Sequence, residues 1–211
     1  MAAVTLKEQA YEKLRHMILS GDIHSNEHLT EKYLVDILQM SRTPIRAALE
    51  RLSAEGLVSY SPNRGLSLQE LSLQRVVDFF DFRMAIEGYI ASKLAARIWD
   101  EHEIALFRSN LEEQERCVQS RDYVAFTKAD SQFHRMLARI YDNQEMHQTM
   151  EQLQDKLFQV ALKVLRKDNA RIQQSFEDHR DIFELILRGD GEAARKRMVE
   201  HLEYGARILI L

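Results

Sequence analysis

Apolar residues recur every three to four positions along most of this chain, the spacing that gathers them on one face of an α-helix. Thr5 and Glu8 have the spacing of a capping box, and Ala10, Leu14, Met17 and Ile18 follow on one stripe as far as Gly21, placed to end the helix in a left-handed turn. Thr30 is placed to cap a short second helix with Tyr33, Leu34, Ile37 and Leu38 facing inward, and Ser41 to cap a third that runs to Gly56. In the third helix Ile45, Ala48, Leu49 and Leu52 form the apolar stripe, while Arg42 and Arg46 lie one turn apart on another face. Pro44 falls in the first turn, where its missing N–H has no intrahelical partner to lose.

The period then changes to two. Val58 and Tyr60, then Leu66 and Leu68, flank the turn-rich residues 61–65, which predicts a small hairpin with Arg64 at its tip. From Ser72, a helix cap, the helical period returns over about 72–97, 101–118, 122–140, 144–167, 170–188 and 191–209, six helices with no strand alternation between them. The fold class is therefore mostly α. An N-terminal winged helix-turn-helix of three helices and a small β-hairpin, residues 1–70, precedes an all-α six-helix bundle, residues 71–211.

Composition narrows the class of function. A chain of 211 residues suits two small domains, and only 7 Gly and 2 Pro leave little turn chemistry for a fold of many strands. A lone Cys117 excludes an internal disulfide framework and a Cys-ligated zinc finger, and it suits a reducing cytoplasm. No apolar run approaches a membrane span and the first residues lack the pattern of a signal peptide, so the expected location is cytoplasmic, with no membrane partner. The net charge of −4 gives no global support for nucleic-acid binding. Any DNA contact has to come from the local cations on the third helix and the hairpin.

Polar residues on apolar faces are the second signal. Asp130 and His134 lie one turn apart beside the stripe of Phe126, Ala129, Phe133 and Leu137. His179 shares a face with Phe176, Phe183 and Ile186, and His201 with Met198, Leu202 and Gly205. Singly, each histidine is more often a core residue bonded to a carbonyl. Together, three imidazoles and a carboxylate are costly to bury without partners, and one divalent ion would satisfy all four. The sequence alone does not place the three helices side by side. His16, His24, His28, His102 and His147 lie outside this pattern.

The run SRTPIRAALERLSAEGLVSYSPNRGLSL resembles the DNA-binding segment of GntR-type regulators, a likeness that extends over about residues 5 to 70. By that resemblance Lys32, Arg42, Thr43 and Arg46 contact phosphates and base edges of double-stranded DNA, and Arg64 with Gly65 forms the wing contact. Asn26, Gln39 and Ala47 depart from the family pattern without removing a contact residue. The stretches LQRVVDFFDFRMAIEGYIASKLA, DSQFHRMLARIYDN and DHRDIFELILRGDGEAARKRMVEHL are similar to the FCD effector domain of the FadR-type branch, and cover essentially all of residues 72–211.

That likeness implies a homodimeric transcriptional regulator, a repressor or activator reading a palindromic operator, with Asp130, His134, His179 and His201 as metal ligands. The donor set suits Zn²⁺, taken as the default, and also Ni²⁺ or Mn²⁺. It also implies a small organic-acid effector, its carboxylate on the metal and its other end clamped by Arg83; the competing role for Arg83 is an ion pair with Glu87 at i, i+4. Two other readings use the same residues, a metal-dependent enzyme and a regulator with a purely structural metal. An enzyme has no use for Arg42, Thr43, Arg46 and the Arg64 wing.

Overall fold

The computed structural model describes residues 5–20, 23, 29–54, 58–62, 65–68 and 72–210. Gly21, His24, Asn26, His28, Gly56 and Arg64, singled out above, lie outside them. The chain divides into two compact units, residues 1–70 and 71–211.

In the first unit, helix α1 (Leu6–Ser20) opens on Thr5, whose hydroxyl accepts the Glu8 N–H at 3.2 Å. Helix α2 (Glu31–Leu38) opens on Thr30, which accepts the Tyr33 N–H at 3.2 Å. It closes on Gln39 at φ 53, and the Gln39 side chain donates to the Asp36 carbonyl at 2.6 Å. Helix α3 (Arg42–Ala54) supplies Ile45, Ala48, Leu49 and Leu52 to a core shared with Ala10, Leu14, Ile18, Leu34 and Leu38. One expectation fails here. Tyr33 and Ile37 are exposed at 48% and 39%, because a helix of 8 residues packed on α3 buries only the Leu34 and Leu38 row.

Strands β1 (Val58–Ser61) and β2 (Gly65–Leu68) pair antiparallel with Tyr60 opposite Leu66. Leu66 also exchanges backbone hydrogen bonds with Leu29, at 2.8 and 3.0 Å. This brings the chain so close that a Cβ on Gly65 would sit 2.4 Å from the Leu29 carbonyl oxygen, and Gly65 has φ +77 besides. Both facts require glycine there.

The second unit is a bundle of α4 (Leu73–Leu94), α5 (Glu101–Ser120), α6 (Tyr123–Tyr141), α7 (Gln144–Gln152), α8 (Gln154–Lys167), α9 (Arg171–Leu187) and α10 (Gly191–Ile210). Ser72, Asp100, Asp122 and Asn143 cap α4, α5, α6 and α7 through their side chains. The helix expected over 144–167 is two, broken at Leu153, so the bundle has seven described helices in place of six. Neither Gly nor Pro marks that break, and Met150, Leu157, Val160 and Val164 keep helical spacing across it. The aromatic centre of the bundle stacks Phe107 on Phe183 with centroids 4.7 Å apart and sets Phe133 edge-on at 5.6 Å. Among the described residues no helix is long and apolar enough to cross a membrane.

Candidate functional site

Phe133 also stacks on His179, with centroids 4.4 Å apart and an interplanar angle of 16°, so the aromatic core runs directly into a polar pocket. Helix α6 brings Asp130 and His134 there, α9 brings His179 and α10 brings His201. All four side chains are buried, and one ligand atom from each lies within 4.8 Å of the others. The bundle thus assembles the four residues that the sequence alone leaves on separate helices.

The surroundings fix which nitrogen of each ring points inward. Asn110 Nδ2 donates to the Ala129 carbonyl at 3.0 Å, and Gln114 Nε2 donates to Asn110 Oδ1 at 2.7 Å. Gln114 therefore turns its oxygen to His179 Nδ1 at 2.8 Å, so that Nδ1 carries the proton and Nε2 the lone pair. His201 Nδ1 lies 2.9 Å from Asp178 Oδ2 and also 2.9 Å from Arg171 Nη2. That guanidinium nitrogen already donates to the His201 carbonyl at 2.9 Å, and a carboxylate only accepts, so the Nδ1 proton goes to Asp178. His134 Nδ1 lies against the Glu87 carboxylate. Burial opposes charge on Glu87, but Arg83, with Nε at 2.6 Å, and His134 pull its carboxyl down to about 2, so it is an acceptor.

All three imidazoles therefore turn Nδ1 to an oxygen and Nε2 to the pocket. His179 Nε2 and His201 Nε2 stand 3.3 Å apart with no proton between them, and His134 Nε2 is buried with no hydrogen-bond partner among the described residues. Burial, then the neighbouring imidazoles for His179 and Arg171 for His201, holds the pKa values of both well below the usual histidine range, so both rings are neutral. Asp130 Oδ1 is 3.6 Å from His179 Nε2, and burial raises its carboxyl pKa. Facing lone pairs beside a carboxylate repel one another unless a cation lies between them. The chemistry of this donor set fits a divalent metal, with Gln114, Asp178 and Glu87 orienting the rings from outside.

A cavity of about 30 Å³ adjoins the cluster, with Arg83, Arg171 and Ser175 on its polar side and Phe80, Val164 and Leu202 on its apolar side. Arg83 both borders this cavity and pairs with Glu87, so the two roles weighed for it share one geometry. Sequence reasoning missed Gln114, Arg171 and Asp178. The available signal was their register: Phe107, Asn110, Gln114 and Cys117 form the inner row of α5, and Arg171, Ser175, Asp178 and Ile182 that of α9. Of the remaining histidines, His16 and His102 are exposed and His147 is half-buried, away from the cluster.

On the first unit Lys32, Arg42, Thr43 and Arg46 are all exposed. Arg46 Nε donates to both oxygens of Glu31 at 3.0 and 2.9 Å, and the Tyr60 hydroxyl donates to Glu31 Oε1 at 2.6 Å. Gly65 has the backbone role given above.

Comparisons with known proteins agree with this division. Residues 6–68 match the gntR family of bacterial regulatory proteins, and residues 78–204 match the FCD domain. The chain is 28% identical over 201 residues to the HTH-type transcriptional repressor RspR of Escherichia coli K12, covering 94% of this chain and 86% of that protein. It is 30% identical over 198 residues to an HTH-type transcriptional regulator in an unstable DNA locus of Streptomyces ambofaciens, covering 94% and 82%. In structure it resembles a GntR transcriptional regulator from Rhodococcus sp. RHA1, with a TM-score of 0.81 and 21% identity over 96% of this chain and 97% of that one. Escherichia coli McbR/YncC gives a TM-score of 0.79 and 20% identity over 98% of each chain.

Proposed function

Because the chain belongs to the GntR family of bacterial regulators and carries an FCD domain, we propose that it is a metal-dependent, effector-controlled member. It is a transcriptional regulator rather than an enzyme, as its family and relatives are. In our reading a cytoplasmic homodimer places two copies of α3 on a palindromic operator, where Lys32, Arg42, Thr43 and Arg46 contact phosphates and base edges. Arg64 and Gly65 supply the wing contact. Repression is the expected direction, as for RspR.

Asp130, His134, His179 and His201 would hold one divalent cation, Zn²⁺ in the first instance, with Ni²⁺ and Mn²⁺ as the alternatives. The observation that carries this is the convergence of three Nε2 atoms whose Nδ1 partners all face oxygens. When bound, the cation supplies a Lewis-acid position for the carboxylate of a small organic acid. Arg83 binds the other end of that acid, and Glu87 keeps the guanidinium oriented toward the cavity. An effector that changes operator affinity tenfold needs a differential binding energy of about 1.4 kcal/mol between two arrangements of the dimer.

Thermal melting of the metal-loaded protein with acetate, lactate, malonate, succinate and citrate tests this. An acid at a hundred times its Kd should raise the melting temperature by about 5–10 °C. The rise should vanish after chelation and in Arg83→Ala. Equal stabilisation by the same acid with and without chelator would remove the metal from the effector site. Unfolding of the bundle on chelation alone would make the metal structural.

A further inference from the structure

An acid in the middle of a DNA-directed face needs explaining. Glu31 is followed by Lys32 in α2, and the Tyr60 hydroxyl, then Arg46 and Arg42 of α3, hold its carboxyl below the usual range against its burial. A carboxylate there repels phosphates, and on electrostatic grounds alone it weakens binding. Yet Glu31 is well placed for something else. Its side chain is only 10% exposed, while that of Arg46 is 49% exposed. Its two oxygens take Arg46 Nε, and Oε1 also takes the hydroxyl of Tyr60, which comes from β1. Three elements, α2, α3 and the first strand of the wing, meet in this chain of bonds.

We infer that Glu31 and Tyr60 are positioning residues for DNA recognition, which hold Arg46 by its Nε edge so that the outer end of the guanidinium meets DNA in one orientation. This rests on the reading of Arg46 as a DNA contact. A free arginine side chain has several rotatable bonds and loses that freedom on contact; one already fixed at Nε loses less. The planar group then offers its remaining N–H donors in a fork of set direction, which base-edge recognition needs and phosphate attraction does not. Tyr60 keeps the carboxylate from turning away. The clamp trades some general attraction to DNA for selectivity.

The test is made on the full-length protein. In vitro selection from a random duplex pool yields a preferred sequence, and anisotropy titrations at one salt concentration then compare the selected duplex with a scrambled one. Glu31→Gln should lower the ratio of selected to scrambled affinity about tenfold, the scale of one good base contact. The same variant should bind the scrambled duplex as tightly as wild type or more tightly, since a negative charge has gone. Tyr60→Phe, which keeps the ring, should lower the ratio in the same direction by less. Glu31→Gln combined with Arg46→Ala should lose no more than Arg46→Ala alone. A merely structural role for Glu31 would not produce that non-additivity. A Glu31→Gln protein with native melting and a ratio within about twofold of wild type, or losses that add in the double variant, overturns the inference. If Glu31→Gln fails to fold, Tyr60→Phe decides, and an unchanged ratio there overturns it. A wild-type protein that selects no sequence overturns the DNA face itself, and this role with it.

Discussion

Arg42 and Arg46 lie one turn apart on α3, and the Glu31 carboxylate feels both. Their proposed job is recognition, so Arg42→Ala or Arg46→Ala should cost about 1–3 kcal/mol of discrimination between operator and altered operator. Gel-shift titration at fixed salt reads this, and the fold should be unaffected because both side chains are exposed. Arg64→Ala should weaken binding with less loss of sequence preference, as a wing contact mainly to backbone would. Unchanged operator affinity in both α3 variants would remove them from the reading set. The four pocket residues were legible because each is a polar residue on an apolar face of a helix. Gln114 and Asp178 were harder to see. Each acts by turning a ring rather than by touching a ligand, and that role appears only when α5, α9 and α10 are side by side.

Among the elements, helix starts were the most legible feature, because Thr5, Thr30 and Ser72 announce themselves by residue type and spacing. The break at Leu153 was not legible, since neither Gly nor Pro marks the end of α7. Nor was the outward turn of Tyr33 and Ile37, which depends on how few partners a helix of 8 residues has. The tie between β1 and α2 also escaped the sequence, and it carries a pH dependence. Burial and the neighbouring Glu31 carboxylate push the Tyr60 hydroxyl up from 10.0 to about 12. The folded unit therefore keeps a proton that the unfolded chain gives up above pH 10, and the stability held by Tyr60 is present below pH 10 and lost as pH rises toward 12. Melting of the wild type should fall more steeply across that window than melting of Tyr60→Phe. Parallel declines for the two proteins would show that the Tyr60–Glu31 bond contributes nothing to holding wing and helix together.

For the whole molecule, the division into a first unit with a hairpin and a second of helices alone was readable from the change of hydrophobic period near residue 58 and the return of the helical period at Ser72, while the FCD domain was legible only through its resemblance to a known family. The pocket was half readable: its four residues could be named, but not the geometry that joins them. A cation bound by Asp130, His134, His179 and His201 would cross-link α6, α9 and α10, so its binding energy would become stability of the bundle. Protons compete for the same imidazoles, but burial holds His179 and His201 well below the ordinary histidine value of 6.5, so the site should empty only at a pH well under that value. Elemental analysis of the full-length protein, purified without chelator or affinity tag, tests the metal centre most directly. The account predicts about one divalent ion per chain in wild type, retained in His102→Ala and His147→Ala and lost alike in His134→Ala, His179→Ala and His201→Ala. Protein that carries no metal, and gains no thermal stability from added Zn²⁺, Ni²⁺ or Mn²⁺, would contradict it and leave the four residues as a polar core.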